Sequence, residues 1–143
     1  MGELRGSLDK LINWFNWFTR KNQRHNRALR NIIDLLGYIE DFFAKYRLQE
    51  KGSDLRLILE NIGQARIDVV AVVYNTRTRI KIAKDIKGKD VPPLLEEVYN
   101  NLGEVKKALF LPTLGSVTLD KRFIKSYQSF NKLLNAISHI EYK

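Results

Sequence analysis

The chain predicts an all-α fold, an antiparallel up-down four-helix bundle with a long or kinked N-terminal helix, and three observations carry that reading. Apolar residues recur at spacings of three and four through four segments. Short stretches carrying Gly52, Gly88 and Gly115, with all three prolines in or beside them, separate those segments. The strand-like alternation at 79–82 is too short, and no partner strand exists elsewhere. The connections fall at 48–53, 87–91 and 111–117, and short connections favour antiparallel neighbours. At 143 residues the chain reads as one domain, 1–143, able to bury a core without cross-links.

In the first helix Leu29, Ile32, Ile33, Leu36, Ile39, Phe42, Phe43 and Tyr46 make a broad apolar face. Upstream, Leu8, Leu11, Ile12, Phe15 and Phe18 keep helical spacing, and no proline intervenes. Residues 1–27 therefore read as an N-terminal extension of that helix, continuous or mildly kinked at the polar stretch 19–27.

The second segment is expected to be one helix from 53 to 87, roughly 50 Å at 1.5 Å per residue. Its inward stripe is Leu55, Ile58, Ile62, Ala65, Val69, Val72, Thr76, Arg79, Ala83 and Ile86. Ser53 would cap its free N–H groups, Asp54 would suit its dipole, and Gly88 would stop it in a left-handed conformation.

The third helix begins at Pro92-Pro93, where missing N–H donors cost nothing. It carries Leu94, Leu95, Val98, Leu102, Val105 and Leu109 inward and stops before Pro112. The fourth runs from about Thr118 with Leu119, Phe123, Tyr127, Phe130, Leu133, Leu134, Ile137 and Ile140.

Several function classes are excluded or weakened. There is no cysteine, so disulfides, thiolate metal sites and thiol nucleophiles are absent. His25 and His139 are the only histidines, and neither sits in the Glu-x-x-His pattern of metal-binding bundles. Glu40-Asp41 and Glu96-Glu97 are adjacent pairs that point to different helical faces, unlike an acid/base couple. No metal, cofactor or small-molecule substrate is expected. No stretch approaches the roughly 20 apolar residues of a spanning helix, so a soluble, intracellular protein is expected.

Two features point instead to binding. Trp14, Phe15, Trp17 and Phe18 span more than half of a helical wheel, too much for one narrow stripe. They either bury as core, anchor the chain peripherally in an anionic membrane surface, or form a protein-interaction and self-association patch. The second feature is charge: Lys and Arg outnumber Asp and Glu by 25 to 16, a net charge of +9. The cations concentrate in two runs, Arg20, Lys21, Arg24 and Arg27, then Arg77, Arg79, Lys81 and Lys84. With a hinge near 50–51, Arg20, Arg24 and Arg27 would lie opposite Lys81, Arg77 and Tyr74. The two runs would then form a polyanion-binding level contacting nucleic-acid phosphates. The plainer alternative is that these cations occupy separate solvated faces, partly neutralised by Glu96 and Glu97.

The tail Leu134-Asn135-Ala136-Ile137-Ser138-His139 resembles the Arg-Asn-x-x-x-His ending of the HEPN ribonucleases, helical bundles that cleave RNA at a dimer interface. The resemblance covers six residues and would carry over Asn135 and His139. Leu134 stands where the pattern has arginine, which removes the charged member. The expectation is accordingly a non-enzymatic binding module acting through protein–protein interaction, homodimer formation included. Nucleic-acid binding is the alternative, and peripheral membrane binding is a third.

Overall fold

The computed structural model describes residues 22–47, 54–111 and 116–142. Its helices are α1 (Gln23–Lys45), α2 (Leu55–Glu60), α3 (Ile62–Ala83), α4 (Val91–Leu109) and α5 (Ser116–Ser138). The four long helices form an antiparallel bundle: α4 packs against both α3 and α5, and α1 closes the ring between α3 and α5. Among the described residues there is no strand. The aromatic residues Trp14, Phe15, Trp17 and Phe18, with Arg20 and Lys21, lie outside the described residues, as does any continuation of α1 before residue 22.

The inward stripes account for the core. Leu29, Ile32, Ile33, Leu36 and Ile39 of α1 are fully buried, facing a layer that includes Val69 and Val72 of α3, Leu95, Val98 and Leu102 of α4, and Phe123 and Leu133 of α5. Rings join α1 to α5: Phe42 stacks on Phe123 at 6.1 Å between centroids, and Phe43 meets Tyr127 and Phe130 edge-on, each at 5.4 Å. Each such buried side chain contributes roughly 1.5–3 kcal/mol relative to exposure.

The second segment differs from the single helix expected. It breaks at Asn61, where φ is −123° and ψ is 34°. There the Asn61 N–H bonds to the Ile58 carbonyl at 3.2 Å, a tighter turn, and the Asn61 side chain donates to the Leu57 carbonyl at 2.9 Å. Asp54 caps α2, accepting from the Leu57 N–H at 3.1 Å, and the expected cap Ser53 lies outside the described residues. Arg79 departs from the inward stripe: it is half-buried and its guanidinium turns back onto the Asn75 carbonyl and side chain. The helix stops at Ala83, before Lys87. Gly88 has no left-handed φ; a Cβ there would lie 3.1 Å from Ile140 Cδ1, so the end of that side chain packs closely over the glycine. Ile140 itself follows the end of α5.

The break moves the register between α1 and α3. Lys45 and Tyr46 bond to Asp68, and His25 bonds to Lys87. The pairing therefore lies about three helical turns further along α3 than a hinge at 50–51 would place it, because α2 and Asn61 occupy the start of the segment.

Candidate interaction surface

The register places Arg24 and Arg27, the described members of the first basic run, away from Arg77 and Lys81 of the second. Arg24 and Arg27 of α1 are exposed and share a level with the 84–90 connection. Lys84 joins them there, beside Lys87 and Lys89 on the rim of an open cleft of about 580 Å³. Arg77 and Lys81, also exposed, lie further down α3 and do not oppose Arg24 and Arg27. Among the described residues, Arg24, Arg27, Arg77, Lys81, Lys84 and Lys89 have no carboxylate partner.

His25 organises that end structurally. It is buried, and its Nδ1 accepts the Lys87 backbone N–H at 2.8 Å. The proton therefore sits on Nε2, which donates to the Glu141 carbonyl at 2.8 Å. One imidazole ties together the start of α1, the 84–90 connection and the residues after α5. His139 is exposed and bonds through Nδ1 to the Asn135 carbonyl at 2.7 Å. Asn135 and His139 thus meet through a backbone oxygen within one helical turn, and Leu134 is half-buried in the core.

At the opposite end of the α1–α3 pair, Asp68 accepts three bonds, from Lys45 at 2.7 Å, Tyr46 at 2.5 Å and Gln64 at 2.8 Å. Burial pushes its pKa up, but these donors and the Lys45 charge outweigh it and hold the carboxyl below its usual range. Burial, then the hydrogen bond and charge of Asp68, push the Tyr46 hydroxyl upward. A small cleft of about 170 Å³ opens beside this network, lined by Tyr38, Asp41 and Phe42 as well as Lys45 and Asp68. Among the described residues no cluster of His, Cys, Asp and Glu is placed to hold a metal ion, and no helix is long and apolar enough to cross a membrane.

The most distinctive surface is one the periodicity reading missed. α3 is apolar on both sides: Ala65, Val69, Val72 and Thr76 face the core, while Ile67 (64 %), Val70 (41 %) and Tyr74 (64 %) are exposed on the opposite face. An isolated exposed aliphatic residue is ordinary, but a row spaced by three and four on one helix is a contiguous patch. The signal was present in sequence, since Ile67, Val70 and Tyr74 remain after the inward stripe is removed.

Beside this row runs a groove between α3 and α4, about 330 Å³, lined by Val73, Tyr99, Gly103, Lys106, Lys107 and Phe110. Arg66 closes one end: its Nε donates to the Leu109 carbonyl at 2.7 Å and its guanidinium lies 5.7 Å from the Phe110 ring centre. A Cβ on Gly103 would meet no atom within 4 Å. No internal packing therefore requires that glycine, although a mid-helix glycine costs about 0.5–1 kcal/mol relative to alanine.

Fold and surface together define an up-down helical bundle bearing an exposed apolar helix face beside a basic groove. No protein-family model matches the chain, and neither a curated protein nor a solved structure matches it.

Proposed function

We propose that this chain is a non-enzymatic binding module that acts through protein–protein interaction, using the outer face of α3 and the adjoining edge of α4. The carrying observation is the row Ile67, Val70 and Tyr74, apolar and exposed on the side of α3 opposite its core stripe. A helix apolar on both faces is suited to burial on both, and among the described residues the bundle covers only one. Self-association and binding of a different protein both use such a face.

A photo-crosslinking amino acid placed at Tyr74, and in a separate variant at the exposed Lys125 of α5, tests the reading in living cells. Discrete protein adducts at position 74 and none at 125 are expected. Equal adducts at both positions, or none at 74, would contradict it.

The second reading, phosphate binding, is favoured by the cations at the α1 end that have no carboxylate partner among the described residues: Arg24, Arg27, Lys84 and Lys89. Mobility shifts at two salt concentrations separate the two readings. Phosphate binding weakens steeply with salt and with charge reversal at Arg24 and Lys84, whereas apolar association through α3 persists.

A further inference from the structure

We infer that the α3–α4 groove is the seat of a partner's amphipathic helix whose apolar face is flanked by acidic residues; the inference deepens the protein-binding reading and rests on it. The two helices run antiparallel with Arg66 beside Leu109 and Phe110. Helical spacing then continues that edge of α3 from Arg66 through Val70 and Val73 to Arg77, and the facing edge of α4 from Phe110 back to Tyr99. The groove spans about three turns, roughly 16 Å, which matches a short docked helix.

Shape comes from Gly103. It lies in the groove with Val73, and the missing side chain leaves open floor where alanine or leucine would stand. Tyr99 and Phe110 lie toward its two ends, giving an apolar trough with aromatic margins.

Charge selects the partner. Lys106 and Lys107 lie along the α4 side, while Arg66 and Arg77 mark the two ends of the α3 edge. Of the acids at this level, one is turned away from the groove and one already pairs with a groove lysine, which leaves Lys106, Arg66 and Arg77 as the cations without a carboxylate partner among the described residues. Asp68 is bonded to α1, and Glu104 reaches Arg122 of α5 as well as Lys107. Glu96 stands one turn beyond Tyr99. An acidic helix would therefore place its carboxylates against cations on both sides, whereas a basic helix would be repelled.

The test uses the full chain and two synthetic helical peptides that share one leucine face, one flanked by glutamates and the other by lysines. The expected result is binding of the glutamate peptide, weakened by salt, with the lysine peptide at least about tenfold weaker. Gly103→Leu fills the floor and is expected to weaken binding by about tenfold or more while thermal unfolding stays at or above the parent's. The pair Arg77→Glu and Lys106→Glu is expected to shift preference toward the lysine peptide. Equal affinity for the two peptides, or binding indifferent to Gly103→Leu, overturns the inference. A parent that sediments as a dimer, is made monomeric by Gly103→Leu and binds neither peptide assigns the groove to a second copy; that overturns the acidic partner but leaves protein binding standing. Absence of peptide binding and of self-association, together with no crosslinks at Tyr74, removes both.

Discussion

Asp68 and Tyr46 show how a few side chains set the chain's response to pH. The Asp68 carboxyl holds its proton less tightly when folded, so its contribution is complete above the ordinary value of 3.8 and is lost as pH falls through the lower folded value. The Tyr46 hydroxyl holds its proton more tightly when folded, so its contribution is complete below the ordinary value of 10.0 and is lost as pH rises above it. Asp68→Asn is therefore expected to lower the denaturation midpoint at neutral pH and to flatten its decline on the acid side. A midpoint series from acid to neutral pH checks this, and parallel curves for parent and variant would count against the network. Arg47 offers a second prediction. It sits just past α1 with φ of 51°, the only positive φ among the described non-glycine residues. Its ion pair with Asp54 is long, at 3.8 Å, and exposed. Arg47→Gly is expected to stabilise the fold by about 1 kcal/mol, because glycine adopts that conformation without Cβ strain. Chemical denaturation reads the change directly.

At the scale of the element, α3 carries most of what distinguishes this bundle. Its outward row is expected to be dispensable for folding: Ile67→Lys with Tyr74→Lys changes stability by no more than about 0.5 kcal/mol per site, measured by thermal unfolding. Val69→Asp, between them in sequence but on the buried face, abolishes the cooperative transition because an unpaired carboxylate enters the core. If the outward pair unfolded the protein as Val69→Asp does, the row would be core and the surface reading would fail. The inward stripes of α1, α4 and α5 were legible in sequence, because residues such as Ile32, Leu102 and Phe123 keep helical period against a single packed side. The break at Asn61 was not. Flanking apolar residues keep their period through it, and the Asn61 bond to the Leu57 carbonyl has counterparts at Asn31 and Asn75 inside unbroken helices, so an asparagine in the pattern does not mark a break. The pairing of Arg24 and Arg27 lies about three turns further along α3 than expected, level with Lys84 and not with Arg77 and Lys81. The α3–α4 groove was illegible for a related reason. It depends on which edge of α3 meets α4, and that is settled by contacts such as Arg66 with Leu109 and Phe110.

At the scale of the whole molecule, the bundle separates its surfaces. One end is pinned by His25 between Lys87 and Glu141 and carries cations with no carboxylate partner among the described residues. The side formed by α3 and α4 carries the apolar row and the groove floored by Gly103. A net charge of +9 adds a long-range field that draws acidic partners toward the molecule before any specific contact forms. The central claim is that the α3–α4 side is covered by another protein in the cell. Hydroxyl-radical footprinting compares ring oxidation in living cells with oxidation of the purified chain and reads that claim most directly. Protection in cells is predicted at Tyr74, Tyr99 and Phe110, with Tyr38 on α1 oxidised to the same extent in both settings. Equal oxidation of Tyr74 and Phe110 in cells and in isolation would contradict the account.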